Sequence, residues 1–380
     1  MEGRSTDHKN LNLAKLHRDV IKGTAGGKII WQPRIGCWLQ DKLFAGEKLP
    51  EPYDGMTLPE IYKELGCSAR IYDYNGCFVA VDDQRVRRYS RNINERQIEN
   101  VVETPVGKIT QIIETSLNSW ASYIKKWWIT SEEDMKVAMW IAERQEWKWN
   151  QEHYDRTYKE WGDLGAPTIF MPRVNVQHLF VDVMGVENAI YAIYDYPKTV
   201  EKYFQILDEN HDRLIDVINE SPIDIINFGD NVHAGTLSPN LFKKYVLPSY
   251  QRRCEKLHRA GKFVHAHWDG DVKPLLPYVQ ECGLDGIEAV TPVPQGDVTL
   301  EEVKQAFGDK MFLIDGIAAI LFDKTFSEDD LIKQAKEVID LFAPKLILGI
   351  SDELSSTGDI NRIKIVGQIV DNYNARISNK

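Results

Sequence analysis

The sequence predicts an α/β fold, a (β/α)8 TIM barrel with an inserted β-hairpin in its first half. Three observations predict it. Short apolar stretches recur eight times, with helical patterns between them. Nearly every stretch ends on an ionisable side chain, which is where barrels of this kind carry their working groups. No proline-rich or low-complexity linker divides the 380 residues, so a single domain is expected over 1–380, with an N-terminal helical extension over 1–25.

In chain order the expected strands are KIIWQP (28–33), SARIYD (68–73), TIFMP (168–172), IDIINF (223–228), KFVHAHW (262–268), GIEAV (286–290), MFLIDG (311–316) and LILGIS (346–351). Residues 100–115 alternate in polarity and carry a Pro105-Val106-Gly107 turn, the pattern of a hairpin outside the barrel. A helix over 131–147 opens on Ser131-Glu-Glu-Asp134, a capping-box-like start. A further helix begins with Ser238 as N-cap and Pro239 in its first turn, and Gly261 closes it.

The formal net charge is -11, with no long run of Lys or Arg, which argues against nucleic acid or an anionic membrane surface as partner. The five cysteines are scattered without a C-x-x-C pair and read as reduced thiols. No apolar signal core or membrane span occurs, so a cytoplasmic protein is expected. Most of the ten tryptophans fall between Trp120 and Trp161, in a stretch read as helical. They serve either helix packing or an aromatic wall for a planar substrate.

The strand ends carry the candidate chemistry. Asp73 ends the second strand, Asp230 and Asn231 follow the fourth, and Glu288, Asp315 and Asp352 stand at the last three. A strand has period two, so His265 and His267 share a face, roughly 6 to 7 Å apart at Cα, while Ala266 and Trp268 face the other way. Two such imidazoles can clamp one metal ion with a carboxylate and leave a position open. Glu288, Asp315 and Asp352 could each supply that carboxylate, and spacing does not choose. Asp230, Glu288 and Asp315 are the candidate acid/base groups; Asp73, Asn231 and Trp268 are the candidate substrate contacts. Neither G-x-x-x-x-G-K-[ST] nor G-x-G-x-x-G occurs, so nucleotide chemistry is not expected.

The segments YDYPKTVEKY, NFGDNVHAGTLSPNLFKKYVLPSY, HAHWDGDVKPLLPYVQECGLDGIEAVTP, GDVTLEEVKQAFGDK and LGISDELSSTGDINRI resemble the uroporphyrinogen decarboxylase superfamily over about 165–370. The resemblance implies a (β/α)8 barrel and one of two chemistries: metal-free decarboxylation, or zinc-dependent methyl transfer to a separate corrinoid protein. Porphyrinogen decarboxylases carry an arginine-rich segment after the first strand, where this chain has Arg34 alone in QPRIGCWLQ. They have Gly-His-Gly where it has Ile350-Ser351-Asp352.

The chain is more similar to the corrinoid-dependent methyltransferase branch, in its O-demethylating form. At that branch's thiolate ligand positions stand His267 and Asp352, beside His265. The resemblance thus implies zinc on His265, His267 and Asp352, a harder ligand set suited to polarising an ether oxygen. Cobalamin would enter only on a partner protein. The expected function is transfer of a methyl group from a small donor, a methoxylated aromatic, to that partner's cobalt. The alternatives are a metal-free decarboxylase of a smaller carboxylate and a non-catalytic binding protein.

Overall fold

The computed structural model describes residues 12–379. Residues 1–11 of the extension expected over 1–25 lie outside the described residues, and its remainder holds the helix Leu13–Ile21. In chain order the strands are β1 (Ile30–Trp31), β2 (Phe78–Val81), β3 (Arg87–Asn92), β4 (Gln97–Thr104), β5 (Gly107–Thr115), β6 (Ser122–Lys126), β7 (Glu146–Trp149), β8 (Thr168–Met171), β9 (Ile225–Phe228), β10 (Phe263–His267), β11 (Gly286–Glu288), β12 (Phe312–Ala318) and β13 (Leu346–Ser351).

The central sheet is parallel, in the order β1-β13-β12-β11-β10-β9-β8, and curls with helices packed around it, consistent with a TIM-like barrel. The strand expected over 68–73 is corrected. Residues 68–71 do lie between the two edge strands: Ser68 N–H donates to the Trp31 carbonyl at 2.9 Å and Ala69 N–H to the Leu164 carbonyl at 2.9 Å. Only Ile71 forms a strand bridge, to Pro167. Tyr72–Cys77 then winds into a 3-10 turn, because Asp73, Asn75 and Gly76 favour turn geometry over a ladder.

Two apolar layers hold this sheet. Outside, the sheet's outward side chains pack against helices in one large core that includes Val264, Ala266, Trp268, Leu313 and Leu348. Inside, Ile30, Ile225, Phe263, Phe312, Ile314 and Ile347 form an apolar floor, closed from below by Val20 of the helix Leu13–Ile21. Above that floor the interior is polar: Gln32, Arg70, Asn227, His265, Glu288 and Asp315 are all buried.

Period-two alternation explains most of this sorting. Along β10, Phe263 joins the inner floor while Val264 and Ala266 join the outer core, so His265 and His267 point inward. Asp315 departs from the rule. Phe312 and Ile314 already face inward, so strict alternation would send Asp315 outward. Its backbone is left-handed, with φ at 80°, and this turns a second consecutive side chain into the barrel.

Two antiparallel sheets accompany the barrel. One has the order β3-β4-β5-β6, and β2 pairs with β7 in the other. The Trp120–Trp161 stretch is therefore not all helical as expected: β6 and β7 interrupt it, and the helix expected over 131–147 runs Glu132–Arg144. Ser131 does cap that helix, accepting from Asp134 N–H. Among the described residues no helix is long and apolar enough to cross a membrane.

The close approach of residues 68–71 to the start of β8 depends on Gly165, where a Cβ would stand 2.0 Å from the Ala69 carbonyl oxygen. Backbone, not a flexible side chain, is in the way, so Gly165→Ala is expected to lower unfolding free energy by about 1–3 kcal/mol. Urea unfolding followed by circular dichroism checks this, and an unchanged midpoint contradicts the tight closure.

Candidate active site

Arg70 organises the polar interior. Its guanidinium donates to Glu288 Oε2 at 2.8 Å, to Asp315 Oδ1 at 2.7 Å and Oδ2 at 3.2 Å, and from Nε to Gln32 Oε1 at 3.0 Å. Both carboxylates are fully buried. A group of this charge is stable away from water only when paired and hydrogen-bonded on most of its donors. Room for it comes from Gly349, where a Cβ would stand 2.1 Å from Asp315 Oδ1.

Glu288 accepts three further contacts besides Arg70. Asn227 Nδ2 donates to Oε1 at 2.7 Å, the Tyr72 hydroxyl lies 3.4 Å from both oxygens, and His267 Nδ1 lies 2.6 Å from Oε1. Burial alone would raise the Glu288 pKa, but Arg70 and the His267 hydrogen bond hold it well below the usual carboxylate range. Asp315 goes the other way: burial, reinforced by the Glu288 charge, outweighs Arg70 and raises it.

The two histidines differ sharply. Burial lowers the His265 pKa to about 4; its Nδ1 is 3.4 Å from Glu288 Oε2 and makes no hydrogen bond. It is a neutral ring deep in the barrel. At His267 burial also favours the neutral form, but the Glu288 hydrogen bond and charge, with Asp352, outweigh it and raise the pKa. A carboxylate can only accept, so Nδ1 of His267 carries a hydrogen. Its Nε2 is 3.9 Å from Asp269 Oδ2 and 3.9 Å from Asp352 Oδ1.

His267 borders a cavity of about 340 Å³ at the strand ends, together with Arg34, Phe170, Arg173, Asn231 and Asp352. Phe170 stacks on Tyr72 with ring centroids 3.7 Å apart. Arg34 pairs with Asp352 and, at 2.7 Å, with Glu353. Arg173 donates to Asp182 at 2.7 Å and to Asn231 Oδ1 at 2.6 Å.

The expected site residues therefore divide. His267, Asn231 and Asp352 line the cavity, and Glu288 and Asp315 lie beneath it, joined through Arg70. Asp230 is fully buried away from it, accepting from Val174 N–H and the Tyr250 hydroxyl at 2.7 Å each, with burial raising its pKa. Asp73 sits on the exposed 3-10 turn and accepts from Trp161 Nε1 at 2.7 Å. Trp268 faces outward, fully buried and edge-on to Phe242 at 5.3 Å. Neither Asp73 nor Trp268 lines the cavity, contrary to their expectation as substrate contacts.

His265, His267 and Asp352 do not fit a bound zinc ion in this arrangement. Among the described residues no three His, Cys, Asp or Glu side chains are grouped as a metal's ligands would be. His265 sits a layer below His267, Asp352 is committed to Arg34, and the positive guanidinium of Arg70 stands beside Glu288 and Asp315. Sequence reasoning missed Arg70, Tyr72, Gln32, Asn227 and Arg173. The signal was available for two of them, since Arg70 and Tyr72 are alternate positions of one stretch, as His265 and His267 are of another.

The uroporphyrinogen decarboxylase (URO-D) family profile matches residues 178–373, just over half of the chain. The chain belongs to this family. No curated protein matches it at the level of sequence. Among solved structures, this URO-D family member is similar to a methyltransferase from Methanosarcina mazei, with a TM-score of 0.57 and 14% identity over 93% of this chain and 97% of that one. A B12-independent methionine synthase from Shewanella sp. W3-18-1, in complex with selenomethionine, aligns at a TM-score of 0.41 and 12% identity over 90% of this chain and 87% of that one. At such identities the likeness concerns the fold.

Removing Arg70 leaves two buried carboxylates without their cation. Arg70→Met is expected to cost about 3–5 kcal/mol of stability at neutral pH. Without Arg70 both folded-state pKa values would lie above their unfolded values, so the deficit should shrink as pH falls and the pair takes up protons. Urea midpoints of wild type and variant between pH 5 and 8 check this; a pH-independent deficit would show that the charges are not the cause.

Proposed function

We propose that this protein is a methyltransferase that moves a methyl group from a small methylated donor, a methoxylated aromatic, to the cobalt of a separate corrinoid protein. The observation that carries the reading is His267: Glu288 fixes its Nδ1 and supports its protonated form, and its Nε2 edge borders the cavity. Family membership and the fold likeness to a methyltransferase support it as well.

An aryl methyl ether is a poor methyl donor because its leaving group is a phenolate. A proton delivered to the ether oxygen lowers that barrier. The donor ring would pack on Phe170, itself stacked on Tyr72, with its oxygen at His267 Nε2. The partner supplies the nucleophile. As the methyl carbon bonds to cobalt, the carbon–oxygen bond breaks, its electron pair goes to oxygen, and the His267 proton goes with it. The product is a phenol, and His267 is left neutral, to be reprotonated from solvent. Glu288 acts from below by holding this charge, Asp315 shares Arg70 with it, and Asn231 and Arg173 border the donor.

A decarboxylase is the second reading, favoured by Arg34 and Arg173 on the cavity wall, since a substrate carboxylate could bind beside two guanidinium groups, which already pair with Asp352, Glu353 and Asp182. It requires CO2 release without a corrinoid partner.

The test incubates the protein with 2-methoxyphenol and a reduced corrinoid protein and follows methyl–cobalt formation by absorbance. His267→Gln is expected to lose at least about 100-fold in rate. Because His267 acts in its protonated form and its pKa is raised, the wild-type rate should hold at acidic to neutral pH and decline as pH rises through that pKa. The residual rate of the variant should lack this decline. An undiminished variant, or CO2 release from carboxylates with no methyl transfer, rejects the reading.

A further inference from the structure

A second cavity, of about 330 Å³, lies under the antiparallel sheet, between the helices Glu132–Arg144 and Pro197–Glu220. Much of its wall is apolar, including Trp128, Ile129, Trp147 and Leu207. Two of the tryptophans of the 120–161 stretch thus face a partly open cavity, and it is not the space beside His267.

One end of this cavity is polar and internally ordered. Asp182 Oδ2 is 2.9 Å from His178 Nδ1, and His178 Nε2 is 3.2 Å from the Tyr203 hydroxyl. The carboxylate can only accept, so Nδ1 holds a ring hydrogen, and with the imidazole neutral Nε2 is the acceptor and Tyr203 donates its proton to it. The Tyr203 oxygen has then spent its one hydrogen and keeps lone pairs for a donor. Tyr203 is 3% exposed, so bulk water does not freely supply that donor.

We propose that this cavity is a second ligand site, for a planar aromatic molecule bearing a hydroxyl group. The ring lies against Trp128 and Trp147, and the ligand's hydroxyl proton is donated to the Tyr203 oxygen. Size permits this, since an apolar cavity of roughly 150 Å³ already admits benzene. The direction of the hydrogen bond excludes a ligand that can only accept, such as an ether, from the polar end. A carboxylate is disfavoured by Asp182, and Arg88 at the wall is engaged by Asp82 at 2.5 Å. The site does not depend on the methyl-transfer reading: the two cavities share Pro172 but are otherwise lined by different residues.

The experiment titrates the whole protein, without any corrinoid partner, with phenol and with anisole by isothermal titration calorimetry. Phenol is expected to bind, and anisole, which lacks the donor, roughly tenfold more weakly. Tyr203→Phe should remove the preference for phenol over anisole, and Ala138→Trp, which fills the cavity from the helix Glu132–Arg144, should remove the same phenol-selective component while leaving any binding beside His267 in place. Circular dichroism melting accompanies each variant, and because Tyr203→Phe removes only one oxygen it decides the matter if the tryptophan variant fails to fold. Phenol binding that survives Tyr203→Phe unchanged overturns the proposal. So does binding lost in His267→Gln but kept in Tyr203→Phe, which would put the ring beside His267 and leave methyl transfer untouched. Absence of phenol binding to wild type also overturns it.

Discussion

The interior of this barrel depends on one buried guanidinium. Arg70 stays charged at every accessible pH, and it meets Glu288 and Asp315 where no water can screen them. Their mutual arrangement fixes what stands above them. A buried Glu288 without Arg70 would take up a proton to escape its desolvation penalty, and as a neutral acid it could no longer favour a charged His267. The 2.6 Å contact between Glu288 and His267 is thus conditional on a cation on the far side of the carboxylate. A group that does not line the His267 cavity therefore determines the proton state of one that does.

Much of the fold was legible because alternation and strand length follow directly from burial. Seven of the eight expected strands are present, six of them within the stretches read from sequence and β12 running two residues past its own, and the alternation along residues 263–268 separates the two histidines from Val264, Ala266 and Trp268. What failed were the places where local turn chemistry or backbone strain overrides the period. Asp73 looked like a strand end, but it lies inside the 3-10 turn Tyr72–Cys77, which Asn75 and Gly76 favour. Asp315 looked like a rim residue, yet it is drawn inside by a left-handed φ of 80° that no period predicts. Gly349 makes that conformation affordable in space, and a glycine in an apolar strand does not announce which neighbour needs the room.

The metal expectation shows how a correct face assignment can still mislead. His265 and His267 do share a face, but a strand places them in successive layers, and the deeper layer is already closed by Arg70 and its partners. His265 is neutral there, its pKa brought to about 4 by burial, and it reaches toward the cavity only through Glu288. Asp352 lies on the correct rim, but its charge is answered by Arg34. Residue types suited to a ligand set are not a ligand set until their lone pairs converge, and here His265, His267 and Asp352 do not converge on one point.

Asp182 draws the two cavities into one mechanical unit. One of its oxygens holds Arg173 beside His267, and the other holds His178 and, through it, Tyr203. Both contacts are made by one carboxylate, so a rotation of the Asp182 side chain alters the two together. Arg173 has few other constraints in the cavity: Asn231 accepts one of its nitrogens, and its Nε is buried without a partner. The position of this guanidinium is accordingly set as much from the tryptophan-lined side as from its own. The contacts Tyr203–His178–Asp182–Arg173 thus run without a break from one cavity to the other.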